Sequence, residues 1–502
     1  MTSASSPPPA LAGLGSGAHQ GRGEGAAPTE PPGTAMQVSP PTPTPAAIPV
    51  PIPLGEVFAL AAEFERAGRL PESGRLLAHA RAAAPDQPDV LHLAGIVAFR
   101  EKRPQEALAL MERAIQLGTD TALYLRNICE VYRTLGRLDD ALAAATRAAT
   151  LAPNDPMALH NLAIIHYERL DPDAAIDCAR RALKLDPTMP GAHFELAEAL
   201  LLKGQLQEGW HEYEWRYRIA GAAPLMPATD KPQWDGTPLP HATLLLIADQ
   251  GFGDVIQFAR YIAWAAQRCP NIAIACSAEV APLLTQMHPT ARIFQRWEDC
   301  PPYAAFCPLS GLPRLHGTRV ETIPAPIPYL HADPARTATW RTRLDGLVPA
   351  GYRRIGIVWA GRPTHNNDRN RSAGLPAFAA LANLPRTALI SLQKGDAAAQ
   401  SGNYFGRAPL VNLGAEIQDY GDTMAIMATL DLMVTVDTSV AHLAGAMGRP
   451  IWVLLPRAPD WRWLMDREDT PWYPTMRLFR QDPDRDWRKV MSRIAEAART
   501  AK

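Results

Sequence analysis

Along residues 54–222, apolar and small side chains return in paired helical stripes, and the whole pattern recurs every 34 residues without an insertion. A period of that length predicts helix-turn-helix units, each burying its apolar face only by stacking on its neighbours. In the first helix, steps of 34 meet Leu60, Ala94, Ile128, Leu162 and Leu196, and beside them Ala61, Gly95, Cys129, Ala163 and Ala197. In the second helix the same step meets Ser73, Ala107, Ala141, Ala175 and Gly209, small residues that let paired helices approach closely. Pro85, Pro153 and Pro187 close repeats because proline cannot continue a helix, and Gly118-Thr119 turns the chain in the second repeat. The fifth unit departs, carrying Trp210, Tyr213, Trp215 and Tyr217, with Arg216 where alanine stood before. A terminal repeat caps its stack, and this aromatic face is expected to dock on whatever follows.

After residue 241 the period changes. TLLLIADQ, the glycine turn GFGD, the helical stretch VIQFARYIAWAAQRC and NIAIACS read as strand, turn, helix and strand, a unit with parallel pairing. A second set runs through RIGIVWAG, ALISLQKG, DLMVTVD, VAHLAGAMG and PIWVLLP. The expected fold class is an all-α solenoid over 54–222, a connector over 223–241 and an α/β pair of Rossmann-like halves over 242–335 and 350–482. A C-terminal helix is expected over 483–502, its return to the first half being a feature of that paired fold and not of the periodicity, and the Pro-rich stretch 1–53 is expected to be disordered, having too little apolar surface to offset its ordering.

Composition narrows the function. A net charge of −1 in 502 residues offers no basic face to nucleic acid or an anionic membrane. The six cysteines contain no C-x-x-C pair and no zinc-spaced Cys/His cluster, so neither a metal site nor a disulfide framework is expected. There is no basic-then-apolar leader and no apolar run long enough to span a bilayer, which leads to the expectation of a cytoplasmic chain with no transmembrane segment.

Ligands of open parallel sheets bind beyond the strand C-termini, and five such turns stand out. Asp249 to Asp254 places Gly251 and Gly253 before a helix whose N–H groups suit an anion, though a tight turn capped by Asp254 reads equally well. Gly361 opens a loop with Arg362, His365, Asn366, Asn367, Arg369 and Arg371, suited to a phosphorylated ligand or simply solvated. Gln393 and Lys394 follow the third strand, where a lysine charge neutralises phosphate or stands in solvent. Asp437, Thr438, Ser439 and His442 lie at a helix N-terminus, where the dipole favours a diphosphate; the ordinary alternative is an N-cap with His442 in the core. The turn from Leu455 to Trp463, with Trp472 and Tyr473, is a lip that stacks on a base or sugar, or packs internally.

The repeats resemble the tetratricopeptide repeat family over five units. GFGDVIQF with DTSVAHLAGAMGRPIWVLLP is similar to the paired signatures of bacterial heptosyltransferase-like glycosyltransferases of family 9, and the layout resembles that of the O-linked N-acetylglucosamine transferases. Bacterial proteins of this fused kind show EYEWR, a turn ending in GD, SLQKG, the Asp-Thr/Ser to His turn and PDWRWL with PWYP in the same order. The resemblance implies a GT-B pair of domains and a nucleotide-sugar co-substrate without a further cofactor. It implies Asp254 as the general base, Asp437, Thr438, Ser439 and His442 at the donor diphosphate, and Lys394 assisting the leaving group. The chain departs from it where Ala304 to Phe306 replace an acid and a histidine, and where Asp249 replaces glutamate.

The expected reaction moves a sugar from its nucleotide to a hydroxyl on a glycan, or on a protein recruited by the repeats. A non-catalytic repeat scaffold and a sugar-nucleotide epimerase are the alternatives, since a fold alone does not decide function.

Overall fold

The computed structural model describes residues 53–500 apart from 119, 120, 221, 223, 325 and 366, so the Pro-rich stretch 1–52, Thr119 and Asn366 lie outside the described residues. These residues form two compact units, one holding 53–166 with 184–187 and the other 167–183 with 188–500.

The 34-residue period is realised helix by helix. First helices of successive repeats begin at Leu54, Pro88, Ala122, Pro156 and Pro190, and second helices at Leu70, Pro104, Leu138, Pro172 and Leu206, each 34 residues after the last. Proline at these starts is favourable, because the first helical N–H has no intrahelical partner to lose. Smallness at the packing positions is required: a Cβ on Gly95 would sit 2.7 Å from Met111 Cγ, and one on Gly209 would sit 2.7 Å from Leu201 Cδ2. Between the helices of each repeat one residue takes a left-handed backbone, at Gly68, Lys102, Gly136, Leu170 and Gly204.

The second unit places the last helices of the array, Pro190–Leu202 and Leu206–Tyr213, together with two parallel sheets. The first sheet contains β1 (Thr243–Ile247), β2 (Asn271–Ala275), β3 (Arg292–Phe294) and β4 (Ala305–Pro308) in the order β3-β2-β1-β4. The second contains β5 (Arg353–Val358), β6 (Thr387–Ser391), β7 (Leu410–Asn412), β8 (Leu432–Val436), β9 (Ile451–Leu455) and β10 (Met476–Arg480) in the order β10-β9-β8-β5-β6-β7. Counted within its own sheet this is 3-2-1-4-5-6 reversed, the doubly wound order, with its switch point between β5 and β8. All pairings are parallel, and the strands inside each sheet are mostly apolar because both faces are covered.

Three boundaries differ from the sequence expectation. The compact α/β unit begins at Tyr167 instead of at the connector, because Leu201, Leu206, Trp210 and Tyr213 share one apolar cluster with Leu244, Phe258 and Trp461. The segment taken as a connector is packed: the Trp234 N–H donates to the Phe306 carbonyl at 2.7 Å, Gln233 bridges to Phe306 beside β4, and Trp234 is buried. The helix Trp487–Thr500 does not return to the first half. Its face of Val490, Met491, Ile494 and Ala498 joins the cluster of Ile355, Phe378, Val434 and Leu454 in the second sheet.

Candidate functional site

Turns at the C-terminal ends of β1, β8 and β9 meet within the second unit. The β1 turn is built from below by the fifth repeat. Asp249 is buried and accepts from the Ser310 N–H at 3.1 Å, the Tyr217 hydroxyl at 2.8 Å and the Ser310 hydroxyl, with the Arg216 guanidinium at 3.8 Å. Gln250, held in a left-handed conformation, accepts from the Tyr213 hydroxyl at 3.1 Å. The arginine that interrupts the alanine column is therefore the counter-ion of the first strand-end carboxylate.

Helix Phe252–Ala259 starts at Gly251, whose N–H donates to Asp254 Oδ2 at 3.0 Å. Asp254 Oδ1 accepts from Arg462, which reaches across from the turn after β9. Arg462 is buried, and its other nitrogens engage both Asp460 oxygens at 2.8 and 2.9 Å and Gln257 Oε1. Its guanidinium carbon lies 4.1 Å from the centre of the Trp461 ring. One cation thus faces two carboxylates from different elements, a buried arrangement that needs every partner present.

Helix Ser439–Ala446 begins beside it. Gly253 is its contact point: a Cβ there would lie 2.8 Å from His442 Cδ2 and 3.6 Å from Ser439 Cα. The His442 ring stacks on Trp463 at 5.3 Å between centroids, and its Nδ1 is 3.0 Å from the Tyr473 hydroxyl. Burial, with Arg462 adding, lowers the His442 pKa to about 3, so the imidazole is neutral. Asp437 accepts from the Trp463 indole N–H at 2.8 Å, and burial followed by the neighbouring Asp460 charge raises its carboxyl to about 6. Ser439 Oγ accepts from the Tyr420 hydroxyl at 2.7 Å, and Thr438 stands at the N-cap without a side-chain cap bond.

The remaining sequence candidates separate into two groups. Lys394 is exposed, donates from Nζ to the Ile417 carbonyl at 2.6 Å, and faces Glu279 together with Arg362. The Glu279 carboxyl is held below its ordinary value first by the Ser277 hydroxyl, with Lys394 and Arg362 contributing. Arg362 also lies 5.8 Å from the Phe252 ring centre, and Phe252 meets Tyr420 edge-on at 5.4 Å.

Gln393 and Gly361 are occupied by their own loop. Gln393 is buried, accepts from the Trp359 and Ala360 N–H groups at 3.0 Å, and donates to the Ala360 and Lys394 carbonyls. A Cβ on Gly361 would be 2.4 Å from Arg371 Nη2. Arg369 lies exposed on the short helix Asp368–Arg371. Gln257 and Tyr420 were not among the sequence candidates for the site, and Asp460 and Arg462 stood there only as part of the lip from Leu455 to Trp463. The PDWRWL motif carried the signal for Asp460 and Arg462, but its aromatics Trp461 and Trp463, with Trp472 and Tyr473 of PWYP, prove to be fully buried packing residues.

Among the described residues no three His, Cys, Asp or Glu side chains gather to hold a metal ion, and no helix is long and apolar enough to cross a membrane.

Comparisons with known proteins bear on these parts unequally. Two tetratricopeptide repeat families match, over residues 119–188 and 160–223. Protein FlbA of Caulobacter vibrioides is 27% identical over 336 residues, which are 61% of this chain and 54% of FlbA, so the chain spans about half the length of this curated relative. Among solved structures, MamA is similar at 17% identity and a TM-score of 0.28, over 32% of this chain and 93% of that one. PilF of Pseudomonas aeruginosa is similar at 19% identity and a TM-score of 0.31, over 34% and 77%. The chain carries tetratricopeptide repeats, a protein-binding type of array, and behind them a parallel α/β half of doubly wound order.

Proposed function

We propose that the α/β half is a nucleotide-sugar-dependent glycosyltransferase of the GT-B kind, and that the repeats bind a protein, either the acceptor or one that presents it. The observation that carries this reading is the meeting of the turn that bears Asp254, through Gly253, with the Asp437-to-His442 turn at the strand ends of two parallel sheets. Such a junction joins a carboxylate able to take a hydroxyl proton to a helix N-terminus able to stabilise a departing diphosphate. Thr438 and Ser439 supply hydroxyls there, while Arg362 and Lys394 supply cations. His442, neutral and packed, orients the helix start in place of acting as a charge.

Calorimetric titration of the full chain with UDP, ADP, GDP, CMP and their sugar conjugates tests the reading. Binding of one nucleotide that weakens in Lys394→Ala and Ser439→Ala, with donor hydrolysis lost in Asp254→Asn, is the expected result. Silence across the panel favours the scaffold, and donor conversion with no acceptor present favours an epimerase.

A further inference from the structure

The geometry points to Arg462 as the positioning residue for Asp254, held in place by the last two repeats. Asp254 stands on the first sheet's helix, and its Oδ2 is fixed by the Gly251 N–H. Its other oxygen is turned by Arg462, which comes from the second sheet. Arg462 in turn has little freedom: Asp460 holds one nitrogen with both oxygens, Gln257 takes another, and Trp461 lies beneath the guanidinium. A planar fork held on several sides transmits orientation in a way a lysine cannot.

The turn that bears Arg462 is itself seated on the last two repeats, Tyr167 belonging to the fourth and Trp210 to the fifth. The Tyr167 hydroxyl donates to the Pro459 carbonyl at 3.3 Å, and Trp210 meets Trp461 edge-on at 5.2 Å and 88°. Tyr213 meets the same indole at 6.1 Å. A continuous set of contacts therefore runs from Tyr167 and Trp210 through Pro459 and Trp461 to Arg462 and Asp254, and a partner that moves the last two repeats reaches the strand-end carboxylate by it. The functional meaning rests on Asp254 as proton acceptor; the contacts do not.

The Gly251 amide is the reporter, because it donates to the carboxylate in question. In the full chain labelled with 15N-glycine, its resonance is assigned from its loss in Gly251→Ala, and its dependence on the carboxylate from its displacement in Asp254→Asn. The expected result is a displacement in Arg462→Gln, partial rescue in Arg462→Lys, and smaller displacements in Asp460→Asn and Tyr167→Phe, with the Gly356 and Gly414 resonances unmoved. An unmoved Gly251 in Asp460→Asn and Arg462→Lys would overturn the positioning role, as would all glycine resonances moving together. An unmoved Gly251 in Tyr167→Phe alone would overturn the seating by the repeats. If Arg462→Gln does not fold, the three milder variants decide. No nucleotide or sugar enters the measurement, so its failure is separate from that of the donor screen.

Discussion

At the scale of single residues, the buried charges carry the sharpest consequences. Arg462 neutralises Asp254 and Asp460 together, so Arg462→Met leaves two part-exposed carboxylates without their shared cation. Breaking a fully buried pair on one side costs roughly 3–5 kcal/mol, and the water that reaches both carboxylates brings the expected loss here to about 1–3 kcal/mol, to be read from urea unfolding of the purified chain. Asp437 behaves in the opposite sense. Its folded pKa of about 6 lies above its unfolded value, so its contribution to stability is complete at low pH and is lost as pH rises to 6. Asp437→Asn is therefore expected to raise stability at pH 7 by on the order of 2 kcal/mol and to leave it little changed near pH 4. The buried histidines have the reverse sign. Burial lowers His92 and His442 to about 3 and His160 to about 4, so each withdraws stability as pH falls from the unfolded value near 6.5. Melting curves between pH 4 and 7 should show His442→Gln flattening the acid limb. The placing of Asp254 and Asp437 beyond strand ends was legible in the sequence, because each follows an apolar run. The counter-ion of Asp254 was not, since Asp254 and Arg462 are 208 residues apart and nothing local pairs them.

At the scale of elements, the turn within each repeat and the contact between two helices are the sensitive places. Gly136 has φ of 76°, where a side chain costs about 1–2 kcal/mol, so Gly136→Ala should lower the unfolding midpoint accordingly. Lys102 occupies the equivalent turn at φ of 63°, and Lys102→Gly should move the midpoint the other way by less, because glycine gains unfolded-state entropy. This turn was missed in the sequence because only Gly68, Gly136 and Gly204 mark it, and Lys102 and Leu170 interrupt the column. Gly253 is tighter. Its Cα abuts the His442 ring, so Gly253→Ala forces the helices Phe252–Ala259 and Ser439–Ala446 apart at an overpacking cost of about 1–3 kcal/mol, with near-ultraviolet circular dichroism of Trp463 as the readout. The sequence leaves the Gly253 turn open between an anion and a tight turn before the helix; the structure adds that its missing side chain makes room for the helix contact. Gln393 shows the same shift, its amide turned inward onto the loop of Trp359 and Ala360.

At the scale of the whole molecule, the last repeat belongs to the α/β unit. A fragment beginning at residue 240 would leave Phe258 and Trp461 without Trp210, exposing a large apolar face, and is expected to bind a hydrophobic dye and to be cut rapidly by trypsin. A fragment beginning at residue 167 retains that contact and is expected to melt cooperatively. By itself the sequence determined what is periodic or local: the 34-residue register, the small residues between paired helices, the parallel strands and the turns that follow them. These are legible because a helix or a buried strand needs only its own spacing of apolar residues to be specified. The tertiary structure alone decided the strand order, the return of the final helix to the second sheet, the seating of Trp461 on the fifth repeat and the pairing of Arg462 with Asp254. Each depends on surfaces and charges brought together from distant parts of the chain, where burial makes a partner obligatory and local sequence leaves no trace of which partner it will be.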